Sequence, residues 1–386
     1  MLNITPEEQM LLDMVKKIAR EKVSPRAAEI DRRDEFPWDL VEILSQQGLL
    51  QIMVPEEYGG GGVKQVTTIA LIAEELAKAS LAIASIFVSA AVPITLALLR
   101  NGNQSQRDTF FPKLATGKKL TAIALTEPNA GSDAAAIQAK AIKMGKNYIL
   151  SGQKCFCSMG SVAEIFSIFA KTAPEKGTKG ITAFLLEKGT PGFRVGKVEN
   201  KMGVRGLPAA ELILDEVTVP AENRLGEEGE GFKMVMNIFD TARVLVGVKA
   251  IGLARGAFEY ALAYAQERVQ FGRPIAQFQA IQFMLADMAT QIEAARGLIY
   301  NTATLIDQGK SDISHLSSMA KYYASDTAMK VTTDAVQILG GYGYMKDHPL
   351  ERMMRDAKLT QIWDGTNQIQ RIIVARRLLM TPSVPI

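Results

Sequence analysis

Several short stretches of this 386-residue chain carry residue types that can do chemistry. In QIWDGTNQIQR, Gln361 to Arg371, an apolar pair runs through an Asp-Gly step into an amphipathic segment. Asp364 reads there either as an N-cap, worth about 1 kcal/mol to the following helix, or as a general base aimed into a pocket. LTEPNAGSDAA, Leu125 to Ala135, sets Thr126 and Glu127 before a Gly-Ser turn. Gly131 would let backbone approach a ligand, and Ser132 offers a hydroxyl and an N–H to a phosphate oxygen; an ordinary turn has the same composition. FDTARV places Asp240 and Arg243 three apart on one helix face, as a surface pair or as a ligand contact. ERVQFGRP puts Arg268 before an aromatic and a turn, where a helix C-terminal cation also belongs. QILGGYGYM, Gln337 to Met345, lacks the third glycine of a dinucleotide fingerprint and reads alone as a helix end and loop.

The bulk composition removes other chemistries. A net charge of +3 with no block of like charge gives no electrostatic case for nucleic acid. The two cysteines, Cys155 and Cys157, are two apart on a strand-like segment; a bridge between them would close almost no loop, so free buried thiols in a reducing cytoplasm are expected. With His315 and His348 as the only histidines and no HExxH or CxxC, no metal site is expected. His315, in KSDISHLSS, reads as a solvated residue at a helix start. The acidic early N-terminus lacks a signal-peptide pattern. Ser80 to Leu99 runs without a charge and is long enough to cross a bilayer, but Pro93 and recurrent serines favour a buried helix over membrane insertion.

Three blocks of elements must position these residues, as a chain of this length requires more than one core. Residues 1–120 read as helices, opening on a capping box, Thr5 with Glu8. Residues 121–230 are short β-branched or aromatic runs between Gly, Pro and Asn, an antiparallel β region without the alternating helices of a parallel nucleotide-binding sheet. Residues 231–386 return to long amphipathic helices.

In this order, LTEPNAGSD, SGQKCFCSMG, FDTARV, ERVQFGRP, QILGGYGY and MRDAKLTQIWDGTNQIQR resemble the acyl-CoA dehydrogenases over essentially the whole chain. The resemblance implies an N-terminal all-α domain, a middle β-barrel or sandwich domain and a C-terminal four-helix bundle, assembled as a homotetramer. It implies FAD, faced by Ile123, Ala124, Leu125 and Thr126, with Ser132 near the pyrophosphate and the substrate. Phe156 and Ser158 match positions where the family often has Trp and Thr against the flavin. A neighbouring subunit would hold the adenosine half with Arg268, Phe271, Gln279, Gln337, Gly340 and Gly341, while Thr366 and Gln368 match further FAD contacts. Asp240 and Arg243, with Phe232 and Met236 on the same helix, match the CoA arm; Phe87, Val88 and Val92 match the acyl pocket. The implied reaction takes the α-proton of an acyl-CoA thioester onto a carboxylate as the β-hydrogen leaves as hydride to flavin N5. The backbone N–H of Gly365 would help hold the thioester oxygen, and electrons would pass on to electron-transfer flavoprotein.

The chain departs from the family where the proton goes. The common base is a Glu in Tyr-Glu-Gly-Thr; here the sequence is Trp363-Asp364-Gly365-Thr366. The alternative family position for the Glu, before the Arg of FDTARV, is Ala242. Losing one methylene retracts the carboxylate by about 1.5 Å, and a misplacement of about 1 Å can cost on the order of 100-fold in rate. The shorter base suits a bulky α-carbon, such as an alicyclic ring, and the relatives acting on cyclohexane-1-carbonyl-CoA are similar in using Asp. A diene-forming 1,4-elimination would need a carboxylate between Leu81 and Leu99, where there is none. Short- or branched-chain acyl-CoA dehydrogenases, nitroalkane oxidases and a non-catalytic acyl-CoA-binding flavoprotein remain as alternatives.

Overall fold

The computed structural model describes residues 4–380. The first block folds as α1 (Pro6–Ile18), α2 (Ala27–Arg33), α3 (Trp38–Gln46), α4 (Val66–Ala79), α5 (Leu81–Ala91), α6 (Pro93–Asn101) and α7 (Gln104–Ala115). The expected capping box is present, Thr5 Oγ1 accepting from Glu8 N–H while the Glu8 carboxylate accepts from Thr5 N–H. The uncharged run read as one helix is two. Pro93 cannot donate into the ladder, so α5 ends at Ala91 and α6 restarts on the proline. Every residue of α5 except Ser89 is buried, as a core helix should be.

The middle block holds β1 (Thr121–Ala124), β2 (Lys140–Met144), β3 (Asn147–Ser158), β4 (Ile165–Lys171), β5 (Ile181–Glu187), β6 (Phe193–Val198), β7 (Ala209–Pro220) and β8 (Arg224–Leu225). They form one hydrogen-bonded sheet in the order β6-β7-β3-β2-β4-β5-β8, with β1 added beside β4. The expectation of a purely antiparallel region fails at β4, which pairs in parallel with both β1 and β2. β1 runs parallel to β4, because the chain enters the sheet from the helical domain beside a strand it has yet to make. Thr121 Oγ1 donates to the Ser89 carbonyl at 2.8 Å and so ties the start of β1 to the end of α5.

The last block is α8 (Gly231–Glu267), a short β9–β10 hairpin (Val269–Gln270, Arg273–Pro274), α9 (Gln279–Asp307), α10 (Ser314–Leu339), α11 (Leu350–Thr360) and α12 (Asn367–Met380). Residues 243–254 of α8 are buried without a break, because α4, α9 and α10 pack around it. Small residues make this close approach possible: a Cβ at Gly252 would meet the Glu74 carbonyl oxygen of α4 at 2.4 Å.

The three blocks are riveted by ions. Arg355 of α11 binds Asp31 of the N-terminal domain (2.7 Å), its neighbour Glu351 (2.8 Å) and the Met202 carbonyl of the β domain (2.9 Å). Asp356 accepts the Val204 N–H, and a buried Glu74 gathers Arg255, Arg296 and Tyr300. The MRD part of the last motif is therefore a joint between domains.

Candidate active site

The loop before α12 corrects the simplest reading of Asp364. Thr366, not Asp364, caps that helix, its Oγ1 accepting from Ile369 N–H at 3.4 Å. Asp364 lies two residues earlier at φ 52, in the left-handed region that Asp tolerates better than most residues. The cap thus fixes the helix and leaves the aspartate outside it.

What fixes Asp364 is the locking of the carbonyls around it. Lys321, fully buried on α10, donates to the Gly365 carbonyl at 3.0 Å and to Asn367 Oδ1 at 2.9 Å. Gln370 Nε2 donates to the carbonyls of Gly365 (2.8 Å) and Asp364 (3.2 Å). Gly365 has φ 91, and a Cβ there would meet Gln370 Nε2 at 2.7 Å, so no other residue fits this turn unstrained. Among the described residues, the Gly365 N–H and the Asp364 carboxylate enter no hydrogen bond, and the carboxylate enters no ion pair. A free acceptor beside a free donor is the arrangement that α-proton removal needs: one takes the proton, the other holds the carbonyl oxygen as charge builds on it.

Positive charge surrounds this loop. Arg243 and Lys249 on α8 and Lys321 on α10 all feel the Asp364 carboxylate. Burial pushes both lysines down to about 8, with Asp364 opposing the shift. Sequence reading missed Lys249, Lys321 and Gln370, since single Lys and Gln residues in helical segments look solvated.

In the Asp240–Arg243 pair the arginine is buried and the aspartate half-buried, so it is not a surface pair. Arg243 is 5% exposed and donates from Nη1 to Asp240 Oδ1 at 2.9 Å, while Ser314 Oγ donates to Asp240 Oδ2 at 2.6 Å. Arg243 Nε is buried without a partner. Arg100, also unforeseen, reaches across from α6 to the Asn237 carbonyl at 3.1 Å. Phe232 and Met236 pack with Ile123 on one apolar cluster, and Phe87, Val88 and Val92 are buried within another. His315, expected in solvent, is half-buried with Nδ1 unpartnered at the start of α10.

At the sheet, the Glu127 carboxylate is the clamp of the TEPNAGSD turn. It accepts from Gln138 N–H (2.6 Å), Ala139 N–H (3.0 Å) and the fully buried Lys154 (2.7 Å), which also donates to the Leu125 carbonyl. Thr126 is held by its carbonyl, which accepts from Cys155 N–H at 2.9 Å. The register shift between Lys154 and Cys157 turns Phe156 outward at φ 53 and 65% exposure, while both thiols point inward. Burial pushes Cys157 up to about 12, so it is inert. Ser158 is half-buried, and Gly131 and Ser132 are exposed, with open space where a Gly131 Cβ would stand.

Arg268, Phe271, Gln279, Gln337, Gly340 and Gly341 stand at the end of α8, in the β9–β10 turn, at the start of α9 and at the end of α10. All six are exposed, Phe271 at 94%, and Arg268 stacks over Tyr342 at 5.5 Å. Gly340 and Gly341 leave open space where side chains would stand. Thr366 is half-buried and Gln368 exposed.

These features fit a large planar cofactor with a phosphate-bearing tail. An outward Phe156, the buried and unpartnered Ser167 Oγ and Trp363 Nε1, and the open Gly131 and Gly340–Gly341 surfaces are places a flavin nucleotide would cover or bind.

Three family models match the chain in order: the acyl-CoA dehydrogenase N-terminal domain over residues 5–118, the middle domain over 122–217 and the C-terminal domain over 229–379. An acyl-CoA dehydrogenase of Bacillus subtilis is 47% identical over 98% of this chain and 99% of its own length. A cyclohex-1-ene-1-carbonyl-CoA dehydrogenase of Syntrophus aciditrophicus is 46% identical over 98% and 91%, and a cyclohexane-1-carbonyl-CoA dehydrogenase of Geobacter metallireducens 43% over 98% and 99%. Among solved structures, butyryl-CoA dehydrogenase from Megasphaera elsdenii superposes with a TM-score of 0.95 at 42% identity, covering 98% of this chain and all of that one. A chain in the structure reported for the electron transferring flavoprotein of Acidaminococcus fermentans does so with a TM-score of 0.95 at 45%, covering 99% and 100%. The chain belongs to the acyl-CoA dehydrogenase family: it is an FAD-dependent oxidoreductase that dehydrogenates the acyl group of a CoA thioester.

Proposed function

We propose that the substrate is an alicyclic acyl-CoA, cyclohexane-1-carbonyl-CoA being the leading case, and that Asp364 removes its α-proton. The observation that carries this is the free carboxylate of Asp364, one methylene shorter than the family's Glu, on a loop whose carbonyls are locked by Lys321 and Gln370. A retracted base leaves room for a tertiary α-carbon held in a ring. The relatives named for cyclohexane and cyclohexene carbonyl-CoA support a ring substrate, and the generic relative at 47% keeps a short- or branched-chain thioester as the second reading. α5 carries no ionisable side chain, which favours the 1-ene product over a diene.

In this scheme Gly365 N–H holds the thioester oxygen, Asp364 takes the proton, and the Asp240–Arg243 pair with Ser314 orients the CoA arm. FAD held there would supply the hydride acceptor for the β-hydrogen. Ile123 to Thr126, Ser132, Phe156, Ser158, Thr366 and Gln368 would hold it on one side. Arg268, Phe271, Gln279, Gln337, Gly340 and Gly341 of a neighbouring subunit in a homotetramer would hold it on the other. Electrons then pass to electron-transfer flavoprotein in the cytoplasm.

The test is anaerobic mixing of the yellow enzyme with cyclohexanecarboxyl-CoA, isobutyryl-CoA, butyryl-CoA and octanoyl-CoA in turn. The ring thioester is expected to bleach the flavin fastest. Faster bleaching by butyryl-CoA or octanoyl-CoA would refute the ring assignment.

A further inference from the structure

Lys249 is a charge that the scheme above leaves unused. It lies on α8 six residues after Arg243 and is 4% exposed. A lysine buried to this degree ordinarily has a carboxylate or carbonyl on its ammonium. Among the described residues, Lys249 Nζ makes no hydrogen bond and no ion pair within 4.0 Å. Its ammonium stands instead 4.4 Å from the centroid of the Trp363 indole, and the next residue is Asp364, the one carboxylate that favours its charged form.

The surrounding charges are engaged with one another. On α8, Arg243 is bound to Asp240; on α10, Lys321 is bound to the Gly365 carbonyl and Asp326 to Arg371 of α12. Glu74 of α4 is taken by Arg255 and by Arg296 of α9, Asp356 of α11 holds the Val204 N–H, and α5 has no charge to offer. Lys249 is thus left on the Trp363 ring, one residue before Asp364, with no ion pair of its own among the described residues.

An apolar acyl group entering the pocket strips water from the base and favours its protonated form, which cannot accept the α-proton. A cation nearby offsets this without occupying the carboxylate's lone pairs. We propose that Lys249 is a positioning residue for the dehydrogenation: stacked on Trp363, its ammonium keeps the Asp364 carboxylate ionised and directed at the substrate when the pocket is filled. No proton moves to Lys249. The α C–H bond breaks toward Asp364 and leaves its electron pair to form the C=C bond, while the β C–H bond breaks with its own pair departing as hydride, for which FAD would be the acceptor.

This deepens the assignment of Asp364 as base and rests on it, so the two are tested separately. In FAD-loaded Lys249→Met, the acid limb of the pH profile for anaerobic flavin reduction should move to higher pH by about one unit, a loss of about tenfold on the acid side. Lys249→Arg should keep the wild-type limb. A readout independent of turnover is calorimetry with benzoyl-CoA, a ring thioester with no abstractable α-proton, in two buffers of different ionisation enthalpy. The wild type should bind without taking up a proton, Lys249→Met should take one up, and Lys249→Met with Asp364→Asn should again take up none. Lys249→Gln carries the same expectations should the Met variant fold poorly. A limb unmoved in the neutral variants, with no proton uptake, would overturn the role of Lys249. An active Asp364→Asn variant would overturn the base instead.

Discussion

In the proposed reaction Asp364 and Gly365 divide one task between a side chain and a main-chain N–H, and the turn that joins them has little tolerance. Replacing Gly365 by Ala forces a φ of 91 on a residue with a Cβ and drives that Cβ against Gln370 Nε2. The expected result is a loop strained by about 1–3 kcal/mol and a fall in kcat larger than any change in FAD content. Rate and flavin-to-protein ratio measured on one preparation check this; an unimpaired kcat would contradict it. Arg243→Ala should cost more stability than breaking a surface pair, which is worth about 0–1 kcal/mol, because it leaves the half-buried Asp240 with only Ser314; thermal melting reads the difference. At this scale the sequence was partly legible. Asp364, Gly365, Asp240 and Arg243 stand in motifs where their types announce chemistry. Lys249, Lys321 and Gln370 could not be found that way, because their importance comes from burial and, for Lys321, from a loop 44 residues away.

Elements show a different limit. The helical, β and helical blocks follow from hydrophobic period and turn residues, which are local. The parallel pairing of β1 with β4 and the break before Pro93 needed tertiary information or closer weight on one proline. The MRD segment was legible as a helix and silent about its purpose: α11 anchors the β domain through Asp356 and Val204. Burial pushes Asp356 from an ordinary 3.8 up to about 6. The folded state therefore binds the proton more tightly than the unfolded chain. The stability this contributes is present below about pH 4 and is lost as pH rises toward about 6. Asp356→Asn, which keeps an acceptor for the Val204 N–H, should remove that slope, worth on the order of 2–3 kcal/mol. Denaturant unfolding at a series of pH values decides it, and parallel curves for the two proteins would contradict the assignment.

The whole molecule leaves an aromatic and a cation, Phe271 and Arg268, standing out on the C-terminal domain beside an open glycine surface. If a neighbouring subunit's flavin nucleotide lies there, Phe271→Asp should lower both FAD retention and assembly size. Light scattering and flavin absorbance measure the two together, and a variant with full FAD and unchanged mass would contradict the shared site. Such a surface is hard to read from one sequence, because a site built across two copies splits its motifs between them.

The proposed reaction stands on Asp364 as the group that takes the α-proton. Asn adopts the same left-handed backbone with little strain, so Asp364→Asn removes the base and little else. The most direct measurement is stopped-flow reduction of the FAD-loaded wild type and Asp364→Asn by cyclohexanecarboxyl-CoA without oxygen. Rapid bleaching of the wild type and none of the variant, at equal flavin content, is the predicted result. Comparable bleaching of both would show that the proton leaves by another route and that Asp364 is not the base.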